Sequence, residues 1–293
     1  MKNYTDAIKY WNRDSAREEM IREEKFPLVD IQTTIAWIKI NKYLKKGGIS
    51  TILDAGAGVG RYSLPLAKTG YKVTHLDISK DMNLVAMKTA ENEDVKNIDF
   101  LISDISRMTY IADKSYDLVI SFDSPITYCY PDHYKALSEV LRASKDLVMI
   151  MVSSRTGTIP FYIDFDVERG YRDPKDNSPI TFTATESIIN NGVEIWENDI
   201  KEYLEREGKD APKDYSFEID ELTEYIKNSG YEILEIGGLG ALARSIKPEN
   251  LEIIRSDERL FNKFITYSLD FDFNKHNIGM GAVNTMVIAK RKG

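Results

Sequence analysis

The stretch TILDAGAGVGRYSLPLA, residues 51–67, decides how the chain reads. An apolar run carries Asp54 near its end, glycines follow at 56, 58 and 60, and the pattern then turns helical. A glycine-rich turn between a strand and a helix lets a ligand approach the backbone at the helix N-terminus. Three kinds of ligand compete for such a turn. A phosphate loop needs Lys and then Ser or Thr after its last glycine, and here Arg61 and Tyr62 follow Gly60. A dinucleotide fingerprint needs G-x-G-x-x-G, and Arg61 stands where the third glycine would fall. Asp54 would also repel a pyrophosphate, whereas a carboxylate there can orient a ligand that carries an ammonium group. The turn therefore favours a cationic or zwitterionic ligand over NAD.

Outward from this turn, short apolar runs alternate with amphipathic segments. Strands are expected at 51–55, 72–78, 97–104, 116–122 and 146–154. The intervening helices are 61–70, bent at Pro65, then 80–93 and 132–144. This alternation specifies βαβ units and a parallel sheet covered on both faces. Residues 155–216 break the rhythm with prolines, glycines and aromatics, and ITFTATESI and GVEIWENDI could pair there as a hairpin. It resumes with a helix at 218–230 and a strand at 231–238. Irregular or helical chain at 239–278 precedes a last strand at 282–291, expected to run antiparallel. Ahead of the sheet, residues 5–24 read as a charged amphipathic helix, and a second helix runs from Pro27 to the Gly47-Gly48 pair.

The motif D-x-G-x-G-x-G at one strand end, with an acidic residue closing the next strand, resembles the class I S-adenosylmethionine-dependent methyltransferases. The resemblance covers residues 50–154, and the order of later elements agrees with it. It implies an α/β fold: a Rossmann-like seven-stranded methyltransferase sheet with helices on both faces, N-terminal helices, and an inserted cap after the fifth strand. The corresponding segments are 1–48 (N-terminal helices), 49–154 (cofactor-binding half), 155–216 (cap) and 217–293 (C-terminal half). It implies S-adenosylmethionine as cofactor and S-adenosylhomocysteine as product. By this likeness Asp54, Gly56, Ala57, Gly58 and Gly60 pass under the methionyl part. Asp77 takes the ribose hydroxyls, as two acceptor oxygens can, and Ile78 and Met82 pack on adenine. Asp104, with Ile105 beside it, lies near the adenine amino group, and Ser121 and Phe122 lie near the methionyl ammonium and sulfonium.

Methyl transfer from a sulfonium is an in-line displacement that needs alignment and exclusion of water. The segment FDSPITYCYPDHY, after the fourth strand, faces the reactive methyl in this fold. Its polar candidates are Asp123, Tyr128, Tyr130 and His133. His133 suits a general base because its ordinary pKa lies near neutrality; the bland alternative is a histidine at a helix start facing solvent. Asp123 could bind an amine, act as base, or cap a helix. DSPI at 123–126 lacks the second proline and the aromatic of the amine- and amide-methylating motif, so that specificity is not carried over. His75 reads as packed in the sheet and His276 falls in a loop. No metal is expected. The aromatics Phe161, Tyr162, Phe165, Tyr171, Phe182 and Trp196 either line a pocket or form the core of the cap, and Tyr4, Tyr10 and Trp11 could close over the cofactor.

The 42% hydrophobic content allows a sizeable core in 293 residues. A formal net charge of −8 and the lack of clustered Lys and Arg disfavour nucleic acid. The single cysteine, Cys129, excludes an intramolecular disulfide. The N-terminus lacks the apolar core of a signal peptide, and LVMIMV at 147–152 is too short to span a bilayer. A cytoplasmic enzyme acting on a small-molecule acceptor is therefore expected, with no membrane partner. The alternatives are a methyltransferase acting on protein or RNA, and a non-catalytic scaffold that keeps the fold.

Overall fold

Seven strands build the sheet: β1 (Thr51–Ala55), β2 (Lys72–Asp77), β3 (Ile98–Ile102), β4 (Tyr116–Ser121), β5 (Ser144–Ser153), β6 (Tyr231–Leu239) and β7 (Asn284–Arg291). The computed structural model describes residues 8–11, 13–168, 182–193, 213–275, 277 and 282–293. Their order is β3-β2-β1-β4-β5-β7-β6. The first five run parallel, and β7 inserts antiparallel between β5 and β6. This is the mixed seven-stranded α/β sheet expected above. Segments 49–154 and 217–293 thus contribute to one sheet.

Helices in chain order are α1 (Arg13–Met20), α2 (Arg22–Lys25), α3 (Pro27–Leu44), α4 (Ser63–Lys68), α5 (Lys80–Asn92), α6 (His133–Ala143), α7 (Arg155–Glu168), α8 (Thr183–Asn191), α9 (Ile219–Asn228), α10 (Ala241–Arg244), α11 (Pro248–Ser256) and α12 (Glu258–Asp272). Strand side chains alternate between two faces. Ile52, Leu118 and Met149 pack with α3, α4, α11 and α12 on one face, while Leu53, Val119 and Val148 pack with α6 and α9 on the other. Both faces are covered, so the central strands are apolar throughout. A buried ion pair pins α3 to the far edge: Lys39 Nζ lies 2.8 Å from Glu235 of β6 and stacks over Phe273.

Several local expectations change. The segment read as one helix over 5–24 contains α1 and α2, broken at Ile21. Pro65 does not bend α4: it sits in the first turn, where a missing N–H costs no intrahelical bond. Among its described residues the region 239–278 holds three helices, α10, α11 and α12. Of ITFTATESI, the described residues from Thr183 on form the start of α8 rather than a strand. Its β-branched residues lose to packing of Ala184 and Ile188, one helical turn apart, against Tyr162 and Phe165 of α7. The buried Asp166 carboxylate accepts from the Ala184 and Thr185 N–H groups and the Thr185 hydroxyl, capping α8. Most of GVEIWENDI lies outside the described residues. Among the described residues no helix is long and apolar enough to cross a membrane.

Candidate active site

In this order the connections diverge on either side of β1, between β2 and β4, and such switch points open a crevice at the strand C-termini. In register, Asp54 pairs with His75 and Ile120, and Ala55 with Leu76. The ends of β1, β2 and β4 therefore meet at one place. There they bound a cleft of about 700 Å³, lined among others by Asp54, Gly56, Asp77, Asp104, Phe122 and Asp123.

The turn after β1 needs its glycines. Gly56 has φ +84°, and a Cβ there would sit 2.3 Å from Pro125 Cβ. Gly60, at φ +92°, would strike Leu64 Cγ at 2.7 Å. Asp77 fastens the turn to β2. Its carboxylate accepts from the Gly58 and Ser79 N–H groups, both at 2.8 Å. Ser79 caps α5 by accepting from Met82 N–H. Asp104 accepts from Ser106 N–H at 2.7 Å. Asp54 is buried, and its Oδ2 has no hydrogen-bond partner among the described residues. Burial, with Asp77 and Asp123 nearby, pushes its carboxyl up to about 8. Burial likewise raises Asp77.

The N-terminal segment closes one side. Trp11, Glu19 and Arg22 line the cleft, Trp11 meets Tyr128 edge-on at 5.4 Å, and the Ser79 hydroxyl donates to the Trp11 carbonyl. Arg61 joins this segment to the turn. Its guanidinium reaches Glu19 at 3.2 Å, Glu23 at 3.3 Å and Asp123 at 3.5 Å. Asp123 and Ser124 both have positive φ, +61° and +64°, a pair of left-handed residues that sharply turns the chain leaving β4.

Residues 52–146 match a family described as a methyltransferase domain. Over 212 residues the chain is 24% identical to a protein of Geobacillus sp. that carries a methyltransferase name, covering 68% of this chain and 80% of that one. Over 80 residues it is 32% identical to a protein of Prochlorococcus marinus named as an RNA methyltransferase, covering 27% of this chain and 19% of that one. A crystal structure of the magnesium protoporphyrin IX methyltransferase of Synechocystis with bound SAH shares the fold. Its TM-score is 0.57 at 15% identity, over 99% of this chain and 100% of that one. Residues 52–146 carry a methyltransferase domain, and the sheet has the α/β methyltransferase fold.

In this methyltransferase ten of the twelve residues assigned to the cofactor by resemblance line the cleft: Asp54, Gly56, Ala57, Gly58, Asp77, Ile78, Met82, Asp104, Ile105 and Phe122. The other two, Gly60 and Ser121, do not. Gly60 shapes the turn from behind, and the buried Ser121 hydroxyl donates to the Ala55 carbonyl, joining the ends of β1 and β4. Asp123, Tyr128 and Tyr130 line the cleft; His133 does not. Its ring is buried rather than solvent-facing, stacked at 3.9 Å on Tyr215 and against Tyr130. Neither ring nitrogen has a hydrogen-bond partner among the described residues, and burial lowers its pKa to about 4. The spacing holds the reason: His133 shares a helical face with Ala136, Leu137 and Val140, all buried. His133→Phe should therefore leave turnover and cofactor affinity within about twofold, since the ring volume is kept. A loss of turnover beyond tenfold at unchanged cofactor affinity would return His133 to the chemistry.

Arg61, Arg22 and Glu19 were not legible as site residues. Arg61 was open to notice, as a charged residue directly after the last glycine. Glu19 and Arg22 reach the cleft only through tertiary folding of α1 and α2. Of the aromatics after β5, Tyr162 and Phe165 form a small core with α8, and Phe161 and Phe182 are exposed. Tyr4, Tyr171, Trp196 and His276 lie outside the described residues. Among the described residues no three His, Cys, Asp or Glu are grouped to hold a metal.

Proposed function

We propose that the enzyme moves a methyl group from S-adenosylmethionine to an O, N or C nucleophile of a small molecule. The observation that carries this reading is the buried, unpartnered Oδ2 of Asp54 at the cleft wall. A buried carboxylate is costly unless a cation with N–H donors completes it, and an amino-acid ammonium does so. Asp77 spends one acceptor site per oxygen on the Gly58 and Ser79 N–H groups. A carboxylate has about four such sites, so two remain for a cis-diol. Ile78, Met82 and Ile105 offer an apolar bed for adenine, and Arg22 and Arg61 supply positive charge for a carboxylate.

When bound, the cofactor supplies an electrophilic methyl group on a positively charged sulfur. The chain's own residues align and enclose. Phe122, Tyr128 and Trp11 wall the cleft with aromatic surface that keeps water away, and Asp123 is the carboxylate beside them able to orient an acceptor. We infer that the insertion after β5, residues 155–216, supplies the cap that selects the acceptor, by the general rule that ligands of open α/β sheets bind outside the strand C-termini. Asp54, Asp77, Asp104 and Asp123 in the cleft and a net charge of −8 oppose phosphate backbones. The sequence likeness to the RNA enzyme covers 27% of this chain and 19% of that protein. Both considerations favour a small acceptor over RNA.

The test is to incubate the enzyme with isotope-labelled methyl donor and separate metabolite, RNA and protein fractions. Label is expected in a small metabolite identified by mass spectrometry; label confined to RNA or protein would overturn the reading.

Asp54 also sets an expected pH dependence. The ammonium binds the ionised carboxylate, so affinity for S-adenosylhomocysteine should rise up to about tenfold per pH unit below about 8, until the ligand amine itself loses its proton. The folded value lies above the unfolded value of about 3.9. Between these values the folded chain holds a proton that the unfolded chain has lost, so the stability contribution of Asp54 falls as pH rises through that window. Asp54→Asn should flatten the binding profile and weaken affinity by about ten- to a hundredfold at pH 8. An unchanged profile by calorimetry would remove Asp54 from the ligand.

A further inference from the structure

One wall of the cleft already holds an anion of the chain's own. Arg22 and Arg61 are the two cleft residues that offer charge to a ligand carboxylate, and Glu19 of α1, also in the cleft wall, engages both. Arg22 Nη1 lies 3.4 and 3.3 Å from the two oxygens of the Glu19 carboxylate, and Arg61 Nη2 donates to its Oε2 at 3.2 Å. Arg61 Nη2 also donates to the Glu19 backbone carbonyl at 3.1 Å. Two more carboxylates reach Arg61: Glu23 lies 3.3 Å from its Nε and Asp123 lies 3.5 Å from its Nη1. Neither is paired with Arg22 among the described residues, and Glu23 does not line the cleft. Glu19 is thus the carboxylate that bridges the two guanidiniums where a ligand would meet them.

Carboxylates already outnumber guanidiniums in this cluster. A ligand carboxylate added to it would bring a further like charge into a partly buried site, which is unfavourable. Exchange avoids that cost: the ligand carboxylate takes the place of Glu19, and the charge of the cluster is unchanged. Glu19 is placed to leave. Its side chain is 20% exposed, against 11% for Arg61, so its carboxylate has a path to water. Its backbone carbonyl can keep the bond to Arg61 while the side chain swings out, so α1 can stay against the glycine turn. We propose that Glu19 is an internal competitor for the ligand carboxylate: it occupies Arg22 and Arg61 in the free enzyme and is displaced when the amino-acid end of the cofactor binds. The inference rests on the cofactor reading above. A tethered carboxylate competes at high effective concentration, so only a carboxylate anchored by its own nucleoside and ammonium displaces it. Glu19 thereby selects for the complete amino-acid end of the ligand.

The test is calorimetry on the full chain with two ligands: S-adenosylhomocysteine, and its decarboxylated analogue, which keeps the nucleoside, the sulfur and the ammonium. Glu19→Gln keeps the side-chain shape and removes the charge. Affinity for S-adenosylhomocysteine should then rise by roughly fivefold, the worth of one partly exposed ion pair, while affinity for the analogue should not rise. A residue that merely held α1 in place, or that held the ligand ammonium, would give the opposite sign. No change or a fall for S-adenosylhomocysteine, or an equal rise for both ligands, would overturn the exchange. An unaltered chain that binds neither ligand would overturn the cofactor reading as well. In crystals with S-adenosylhomocysteine, the ligand carboxylate should stand between Arg22 and Arg61 with the Glu19 side chain turned to solvent. Glu19 unmoved beside a bound ligand would overturn the exchange and leave the cofactor reading intact.

Discussion

Gly56→Ala is expected to abolish measurable cofactor binding at micromolar ligand while leaving a folded but destabilised chain. Two costs combine. Gly56 has φ +84°, and a left-handed backbone costs an L-residue roughly 1–2 kcal/mol. The added methyl would also stand 2.3 Å from Pro125 Cβ and 3.1 Å from Ile105 Cδ1, and forcing such overlap costs about 1–3 kcal/mol. Pro125 cannot yield freely, because its ring is rigid and it follows the left-handed pair Asp123 and Ser124. The turn must therefore move, and it is the turn that holds the ligand. A loss of about 3 kcal/mol at the site corresponds to more than a hundredfold in affinity. Calorimetry with S-adenosylhomocysteine and a thermal melt measure the two effects separately. Affinity within threefold of the parent chain would show that the turn is not under the ligand.

Asp77→Ala is expected to act on both halves of the same contact. It strips the carboxylate from the Gly58 and Ser79 N–H groups, and a buried donor left unpaired costs about 1–3 kcal/mol. It also removes the acceptors proposed for the ribose, so affinity should fall by a further 1–3 kcal/mol or so. The pH profile supplies an independent check. Asp77 is one of the charges holding the Asp54 carboxyl up near 8, so the midpoint of ligand affinity should move to lower pH in this variant. Asp77→Asn, which keeps one acceptor oxygen, should fall between the two in affinity. Unaltered binding in Asp77→Ala would detach the residue from the site.

The sheet was legible because its signal is local and repeated. Apolar runs such as TILDA and YDLVIS can only be buried when helices cover both faces, and the helical patterns lie between them at βαβ spacing. Asp54 and Asp77 were legible as partners because parallel strands of similar length end together, and the register of Ala55 with Leu76 brings those ends side by side. What escaped was set by tertiary contact. The described part of the β-branched run at 180–188, from Thr183, became a helix because α7 offered Asp166 as its cap and Tyr162 as its packing surface. Glu19 and Arg22 gave no local sign that α1 and α2 would fold against the glycine turn. His133 differs: its chemistry suggests a base, whereas its helical face, shared with the buried Ala136, Leu137 and Val140, places its ring in the core.

The central claim is that the crevice at the ends of β1 and β2 seats an adenosyl sulfur compound. A crystal structure with S-adenosylhomocysteine tests it most directly. Both ribose hydroxyls should lie within hydrogen-bond distance of Asp77, with the ligand ammonium against Asp54 and adenine between Ile78 and Ile105. A nucleoside bound elsewhere, or its sugar turned away from Asp77 with the glycine turn untouched, would contradict the account.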